Sequence, residues 1–323
     1  MSEARLEKAE LREEKEVKEM LHPIVREWFF SRFEKFSMPQ LYGVMPIHER
    51  KNILISAPTG GTKTLTAFLS ILNYLVSLAE KNELEDKVYA VYVSPLKALS
   101  NDIHVNLTNP LKEMEEIAEK KGIKMQKIRV GLRTGDTSTE ERSRQTQKAP
   151  HILVTTPETL AIVLNAPKFS LSLNACEFLI VDEIHALANK RGVHLSLSLE
   201  RLQNISRIYP VRIGLSATIA PLEEIAKFLI GSSDSCLIAD VQFGKKIDVK
   251  ILTPTEDMID TTALDLHSSL YTLIDKLIQE HKTTLIFTNT RSATERVINH
   301  LKDMFPSRYL EEIGAHHSSL SKE

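Results

Sequence analysis

Two pairs of adjacent residues have the chemistry needed to handle a phosphate together with a divalent cation. Lys63 and Thr64 close a glycine-bearing loop, and Asp182 and Glu183 follow an apolar run. A lysine ammonium reaches the phosphates of a nucleotide, while a threonine hydroxyl and an aspartate carboxylate are hard oxygen ligands for Mg²⁺. A second carboxylate orients or deprotonates the attacking water. The pattern predicts Lys63, Asp182 and Glu183 as catalytic residues and Thr64 and Asp182 as metal ligands.

The loop lies between a predicted strand at residues 52–56 and a predicted amphipathic helix at residues 65–78. Backbone N–H groups and the dipole at a helix start attract an anion. We therefore expect phosphate to bind the loop residues Thr59, Gly60, Gly61, Thr62, Lys63 and Thr64. Thr62 stands where the phosphate-loop pattern has glycine. A β-branched side chain there either enters the phosphate path or forces a costly backbone geometry.

Gln40, upstream of the loop, is a candidate for recognising a base. Its amide offers one acceptor and two donors, which match the N6 and N7 edge of adenine. Phe33 or Phe36 is then a candidate for stacking on the base. The alternative is a turn glutamine beside a core phenylalanine.

Three predicted strands end in turns that are rich in hydroxyl groups, prolines and helix starts. Phosphates favour hydroxyl groups and helix N-termini, and ligands bind at the carboxyl edge of parallel sheets. A basic run at residues 120–133 leads into the second turn, although such a run is also typical of a solvated face. The turns predict nucleic-acid contacts at Pro95, Lys97, Thr134, Gly135, Thr155, Thr156 and Pro157.

A further predicted strand at residues 211–215 ends in Ser216 and Thr218. Short hydroxyl side chains at this edge can hydrogen-bond the acidic pair and transmit its state. His185 either joins this coupling or is a satisfied structural histidine, and the sequence leaves both open.

The remaining segments predict the domain organisation. Residues 1–20 alternate acidic and basic side chains and predict an exposed helix, ahead of a first α/β domain at residues 21–240. Residues 241–258 are read as a linker with one strand at 247–252. A strand at residues 284–287 opens a second, partial α/β domain at 259–323, which we expect to be truncated because so small a sheet hardly covers its helices.

The composition is that of an ordinary globular protein, with 323 residues, a net charge of -2 and a pI of about 6.6. The charge does not indicate a nucleic-acid partner, but a groove can be basic on a neutral protein. Cys176 and Cys236 lack metal-site spacing and are expected to be reduced thiols. No membrane span or signal peptide is apparent, so we expect a cytoplasmic protein.

The motif series resembles the superfamily 2 helicases, and most closely the large helicase-related (Lhr) family. It consists of Gln40, APTGGTKT at 57–64, SPLKAL at 94–99, TTPETL at 155–160, DEIH at 182–185, SAT at 216–218 and TNTR at 288–291. SPLKAL, TGDT at 134–137 and RGVHLSLSLERL at 191–202 resemble the Lhr branch in particular, and the tail HHSSLSKE at 316–323 also fits it.

This resemblance implies an α/β, RecA-like parallel sheet flanked by helices, followed by the start of a second RecA-like domain. It implies ATP and Mg²⁺ as cofactors in a cleft, and single-stranded or partly duplex nucleic acid as partner, DNA before RNA. It also implies ATP-driven translocation and further C-terminal domains. In the second domain the nucleic-acid residues would be Thr288, Asn289 and Arg291.

The chain departs from the family pattern at Thr62 and at Ser318, and the family's later motifs would lie beyond residue 323. Those motifs include arginines that reach the γ-phosphate, so we expect this chain alone to hydrolyse ATP poorly. Two other hypotheses stay open. One is a nucleic-acid-binding module whose ATP site is impaired by Thr62, and the other is an RNA-remodelling helicase.

Overall fold

The computed structural model describes residues 4–58, 62–95, 97–187, 190–231, 235–242, 248–257, 259–311 and 313–315. The chain divides into two compact units, Met1–Gly244 and Lys245–Glu323. Each unit is described by itself.

The first unit is built on one sheet of eight described strands, all paired in parallel. Their order across the sheet is β1-β8-β2-β7-β6-β3-β5-β4. The strands are β1 (Arg5–Lys8), β2 (Ile53–Ser56), β3 (Ala90–Val93), β4 (Val130–Arg133), β5 (Ile152–Thr155), β6 (Phe178–Val181), β7 (Val211–Ser216) and β8 (Ser235–Asp240).

Helices cover both faces of the sheet. Those of the first unit are α1 (Glu14–Met20), α2 (Pro23–Arg32), α3 (Met38–His48), α4 (Lys63–Glu80), α5 (Lys97–Lys120), α6 (Thr139–Gln147), α7 (Pro157–Leu164), α8 (Pro167–Ser170), α9 (Lys190–Ile205) and α10 (Leu222–Ile230). Short 3₁₀ helices occupy Leu171–Leu173 and Ile184–Leu187.

The central strands are buried along their whole length, as expected of a parallel sheet with helices on both faces. One face packs against α1 to α5 and the other against α7, α9 and α10, which gives two apolar layers. This confirms the predicted α/β sheet. Its carboxyl edge collects the ends of the parallel strands, where the predicted site residues lie.

The predicted helix over residues 2–20 is wrong in its first half. Residues 5–8 form the edge strand β1, which pairs in parallel with β8, and helix α1 begins only at Glu14. Leu6 alone of the four strand residues packs against the core, so the short edge strand resembles an exposed helix in its pattern. Val17 of α1 is fully buried, so this segment is part of the domain.

A proline inside a helical segment predicts a break, but helix α5 runs without interruption through Pro110. A proline removes one backbone hydrogen bond and costs about 3 kcal/mol in a helix interior. The helix offsets that cost by burying Leu107, Leu111 and Met114 in the core on either side of the proline.

The second unit contains helices α11 (Ala263–Gln279), α12 (Arg291–Met304) and α13 (Pro306–Tyr309). Tyr271, Leu301 and Tyr309 form their small core. The predicted strands at 247–252 and 284–287 are not found among the described residues of this unit, and Leu285 and Phe287 are exposed. A strand needs a neighbour to pair with, and the described residues of this unit supply none.

Of the described helices, none is long and apolar enough to cross a membrane.

Candidate nucleotide and nucleic-acid site

The order of the strands separates the predicted site residues into two groups at one edge of the sheet. Neighbouring strands β2, β7 and β6 end at the phosphate loop, at Ser216 and at Asp182. Neighbouring strands β3, β5 and β4 end at the three hydroxyl-rich turns. Adjacent strands lie about 4.8 Å apart, so each group occupies a compact area. The sheet thus brings together residues that the sequence scatters from position 56 to position 216.

Lys63, the first residue of α4, is almost fully buried in the loop. Its ammonium donates to the carbonyl oxygens of Ala57 and Pro58, at 2.7 and 3.2 Å. Burial lowers the pKa of the Lys63 ammonium, while the nearby charges of Glu183 and Asp182 raise it in part. The side chain therefore lies folded back on its own loop and can exchange these carbonyl partners for phosphate oxygens.

Asp182 and Thr64, the two predicted metal ligands, are joined through Tyr92 of β3. The Tyr92 hydroxyl donates a short hydrogen bond to Asp182 Oδ2, and it also has a side-chain hydrogen bond with Thr64. Burial raises the pKa of the Asp182 carboxyl, and the hydrogen bonds from Tyr92 and from the Glu183 N–H lower it in part. These contacts place the two predicted ligand side chains, Asp182 and Thr64, around the Tyr92 hydroxyl.

Glu183 and His185 connect the acidic pair to the end of β7. The Ala217 N–H donates to His185 Nδ1 at 3.2 Å, so Nδ1 is an acceptor and the ring proton lies on Nε2. Nε2 faces Glu183 Oε2 at 3.2 Å. Glu183 has a φ of 47°, a conformation that costs a non-glycine residue about 1–2 kcal/mol. The backbone that follows β7 therefore holds His185, and His185 in turn orients the Glu183 carboxylate.

Of the two hydroxyl residues that were predicted to couple this site, only Ser216 contacts it. Ser216 Oγ lies 3.4 Å from His185 Nδ1, whereas Thr218 is exposed beyond the end of β7. The main contribution of this segment is the backbone N–H of Ala217, directly after β7. A backbone contact of this kind cannot be predicted from residue type.

Thr62 adopts a left-handed backbone conformation, with φ 53° and ψ 16°. This is the costly backbone geometry that is predicted for a β-branched residue at this position. Its hydroxyl lies 2.5 Å from Ser37 Oγ, at the N-cap of α3. Its carbonyl accepts a hydrogen bond from Thr66 Oγ1 at 3.0 Å. The hydrogen bond with Ser37 thereby holds the Thr62 side chain at the start of α3.

Gln40 is buried in the first turn of α3, and its Oε1 accepts the Ser37 N–H at 2.8 Å. Ser37 thus links Gln40 to Thr62 of the phosphate loop. Helix α3 packs closely against β2 and α4, the two elements that flank the loop, because Gly43 has no side chain. A Cβ there would lie 2.6 Å from Ile55 Cδ1 and 2.7 Å from Thr66 Cγ2. Contact between Gln40 and adenine stays a prediction.

Phe36, one candidate for stacking on a base, is a core residue. It is 4% exposed, and its ring stacks on Phe29 with 4.7 Å between the centroids. Phe33 is partly buried against the same cluster.

The turns that end β3 and β4 are held by arginines. Arg191 of α9 donates to the Pro95 carbonyl at 2.8 Å and to Glu158 Oε1 at 2.6 Å. It therefore ties the end of β3 to the first turn of α7. Arg142 donates to the carbonyls of Thr134 and Gly135 at 3.2 and 3.1 Å.

The turn that ends β5 is organised as a helix start. Thr155 is buried and donates to the Arg133 carbonyl at 2.8 Å. Thr156 caps α7, accepting the Thr159 N–H at 3.4 Å, and Pro157 is the first residue of that helix. Both hydroxyl groups fix the turn at the start of α7, and contact with a phosphate there stays a prediction.

In the second unit, Thr288 and Arg291 lie at the start of α12. Thr288 Oγ1 lies 2.7 Å from Thr294 Oγ1, Asn289 is exposed, and Arg291 is the first helical residue. The predicted site residues Thr59, Gly60 and Gly61 and the side chain of Lys97 lie outside the described residues.

Three residues that the sequence did not single out position this site: Tyr92, Ser37 and Arg191. Tyr92 resembles a core aromatic, and its only signal is a hydroxyl in a fully buried strand, which must find a partner. Arg191 lies in the segment that resembles the Lhr branch. The following Gly192 has room for no Cβ, which would lie 1.7 Å from the Leu187 carbonyl.

Comparisons with known proteins agree with this geometry. The sequence pattern of the DEAD/DEAH box helicase family matches residues 37–227. The chain is 53% identical over 310 residues to the ATP-dependent helicase Lhr-Core of Methanocaldococcus jannaschii, covering 96% of this chain and 36% of that protein. It is 34% identical over 311 residues to the Lhr helicase/uracil glycosylase of Escherichia coli, covering 90% of this chain and 20% of that protein.

A solved structure of Mycobacterium smegmatis helicase Lhr, bound to ssDNA and AMP-PNP, superposes with a TM-score of 0.81 at 36% identity. The match covers 94% of this chain and 39% of that one, so the chain spans between 20% and 39% of the length of these relatives. The family match covers more than half of the chain, and it includes the loop, the acidic pair and the strand-end turns. The chain belongs to the DEAD/DEAH box helicase family, and the relatives that it resembles over nearly its whole length are Lhr-type helicases.

Proposed function

We propose that this chain is the motor portion of an ATP-driven DNA helicase, a nucleic-acid-dependent ATPase. The observation that carries the proposal is the division of one sheet edge. Lys63, Asp182 and Glu183 follow β2 and β6, while the three turns that are predicted to bind phosphate follow β3, β5 and β4. Because a nucleotide site and a nucleic-acid site would lie on one rigid sheet, binding at either site could influence binding at the other.

The residues around Lys63 suit ATP with Mg²⁺. Asp182 and Thr64 supply oxygen ligands around the Tyr92 hydroxyl, and Mg²⁺ takes few protein oxygens and keeps several waters. The bound cation would neutralise phosphate charge during transfer.

In the reaction, each side chain would have one task. Lys63 would leave the carbonyls of Ala57 and Pro58 and bind the phosphates. Glu183, oriented by His185 Nε2, would hold the attacking water and accept its proton. Gln40 would contact adenine.

We propose single-stranded DNA as the polymer, with Pro95, Lys97, Thr134, Gly135, Thr155, Thr156 and Pro157 on the first unit and Thr288, Asn289 and Arg291 on the second. The proposal is supported by the ssDNA-bound Mycobacterium smegmatis relative and by the turns after β3 and β4, which Arg191 and Arg142 hold in place. The longer relatives support further domains outside this chain, and we keep a cytoplasmic location as a prediction.

The test titrates a fluorescent ATP analogue, with and without Mg²⁺, and a labelled 12-mer of single-stranded DNA into the chain and into Lys63→Ala. We expect Mg²⁺-dependent nucleotide binding that Lys63→Ala abolishes, and DNA binding that it spares and that weakens as salt rises. Loss of both in Lys63→Ala, with an unchanged unfolding transition, contradicts separate sites.

The competing hypotheses have distinct results. DNA binding without nucleotide binding supports the module with an impaired ATP site. Tighter binding to RNA of the same sequence supports the RNA-remodelling helicase. Robust DNA-stimulated ATP hydrolysis by residues 1–323 refutes the expectation that this chain alone is a weak enzyme.

A further inference from the structure

A groove of about 740 Å³ follows the open edge of the sheet, away from the nucleotide loop and the acidic pair. Its floor is the edge strand β4 and the residues that lead into it, 127–131. The walls come from the helices on either side of β4, with His104, Thr108 and Lys112 of α5 and Arg144, Gln145 and Lys148 of α6. None of these residues has a task in the proposed reaction.

The backbone of the floor has hydrogen-bonding groups that face outward. The Ile152 N–H donates to the Arg129 carbonyl at 3.1 Å, so Arg129 and, by alternation, Gly131 and Arg133 face β5. Val130 and Leu132 therefore direct their N–H and C=O groups away from β5, and Val130 is the one of the two that lines the groove. Within the described residues no strand pairs with this side of β4, which makes it an open template for a further strand.

Gln145 partly takes the place of that missing strand. It is 4% exposed, and its Nε2 donates to the Leu132 carbonyl at 3.1 Å and to Glu141 Oε1 at 3.0 Å. Thr137 Oγ1 donates to the same Leu132 carbonyl at 3.2 Å, so a further strand would pair with the Leu132 N–H rather than with its carbonyl. Its Oε1 has no hydrogen-bond partner in the described structure. A buried acceptor without a partner is costly, and a backbone N–H entering the groove would satisfy it.

The groove is positively charged on a protein whose net charge is -2. Lys112, Lys127 and Lys148 line it, are exposed, and form no ion pair in the part of the chain that the structure describes. The groove's two arginines are already paired, Arg129 with Asp86 and Arg144 with Glu141. Glu115 is the one lining carboxylate outside these pairs, so the three lysines leave the groove with an excess of positive charge. Three exposed ammonium groups around one strand edge complement a ligand with several carboxylates.

We propose that this groove binds an acidic, extended segment of a partner protein, which adds to β4 as a ninth strand of the sheet. Main-chain hydrogen bonds to Val130 and Leu132 would supply affinity, and the three lysines would select acidic side chains. A nucleic-acid strand is the less suitable occupant. The outward carbonyl of Val130 and Gln145 Oε1 are acceptors, and they repel phosphate oxygens rather than bind them.

The probe is a fluorescein-labelled ten-residue peptide that alternates glutamate and valine, measured by anisotropy. One control peptide has lysine for glutamate, and a second has alternate backbone nitrogens methylated, which removes strand pairing but keeps the charge. The test variant combines Lys112→Glu, Lys127→Glu and Lys148→Glu. Its matched control combines Lys8→Glu, Lys35→Glu and Lys81→Glu, which changes the net charge equally at exposed positions elsewhere.

We expect the acidic peptide to bind the unchanged chain and the control variant alike, and the groove variant about tenfold or more weakly, since each exposed charge pair contributes about 0.2–1 kcal/mol. The methylated peptide should not bind. In hydrogen exchange, the amides of Val130 and Leu132 should gain protection with the acidic peptide.

Equal binding to both charge variants, or by the methylated peptide, overturns the proposal. So does an absence of peptide binding together with a loss of single-stranded DNA affinity in the groove variant alone, because the groove would then be a nucleic-acid surface. Val130→Pro removes one outward N–H at an edge strand that tolerates proline, and it should weaken the acidic peptide without changing nucleotide binding.

Discussion

Replacing Thr62 by glycine tests how the phosphate loop tolerates its unusual residue. The φ of 53° costs threonine about 1–2 kcal/mol. Thr62→Gly would recover that strain. It would lose the hydrogen bond to Ser37, worth about 0.5–1.5 kcal/mol, and add backbone freedom worth about 0.5–1 kcal/mol. These effects nearly cancel, so we expect the stability of the chain to change by less than about 1 kcal/mol.

The effect on nucleotide binding follows from where the Thr62 side chain is held. Its hydroxyl is fastened to Ser37 Oγ on α3, at 2.5 Å, which limits its access to the phosphate path. Thr62→Gly should therefore bind fluorescent ADP with Mg²⁺ within about threefold of the unchanged chain. Thr62→Val keeps the branched side chain but loses the hydroxyl, and it should bind about five- to tenfold more weakly, the equivalent of about one hydrogen bond.

A double-mutant cycle isolates the Ser37–Thr62 contact. Ser37→Ala should weaken ADP binding alone, yet have little effect in the Thr62→Gly background, where no side chain remains to be held. Ser138→Ala is the matched control, since it removes the serine N-cap of α6, far from the loop. Binding by Thr62→Gly more than tenfold tighter than the unchanged chain would refute this reasoning and restore the impaired-site hypothesis.

Three further substitutions test other parts of the first unit. Arg191→Ala frees the Pro95 carbonyl and Glu158, so single-stranded DNA affinity should fall several-fold while ADP affinity is kept; Arg201→Ala on the same helix is its control. Burial lowers the pKa of His151 from 6.5 to about 4, so the folded state should lose roughly 3 kcal/mol as the pH falls through that interval. His151→Asn should flatten this slope in urea unfolding. Burial raises the pKa of Asp182, so its ionised form costs stability at pH 7; Asp182→Asn should raise the unfolding midpoint there, with the gain shrinking toward acid pH.

Each of these predictions has a result that contradicts it. An Arg191→Ala variant that loses ADP and DNA binding equally would indicate a general structural role. An unchanged pH slope in His151→Asn would move the acid sensitivity to another group. A lower midpoint in Asp182→Asn at pH 7 would mean that the Tyr92 hydrogen bond outweighs the desolvation of the carboxylate.

The sequence predicts the sheet well because its strands are continuous apolar runs that end in chemically distinct turns. It fails for β1, where only Leu6 of four residues packs inward, so strand and exposed helix have the same pattern. It also fails for residues 284–287, whose apolar character matches a buried strand although no described strand of that unit pairs with them. In both cases the outcome depends on a strand to pair with. For β1 that strand is β8, which is distant in sequence, and for residues 284–287 the described residues of the second unit supply none.

For the candidate site, residue type predicts the reactive groups but not the residues that support them. Lys63, Asp182 and Glu183 are recognisable because few other side chains suit phosphate chemistry. Tyr92 and Arg191 are not, because tyrosine in a buried strand and arginine in a helix have many ordinary uses. Their role depends on sheet order, since β3 neighbours β6 and only that adjacency brings the Tyr92 hydroxyl to Asp182.

The buried charges around the loop lead us to expect that this site favours a ligand that has charges of both signs. Burial disfavours the ionised forms of Lys63 and Asp182, which lowers one pKa and raises the other. The chain compensates with local dipoles, through the carbonyls of Ala57 and Pro58 for Lys63 and the Tyr92 hydroxyl for Asp182. A phosphate with a divalent cation replaces both compensations by full opposite charges. The cost of burying the two groups is thus recovered when a nucleotide with its cation binds, and a ligand with only one of the two charges would leave part of that cost in place.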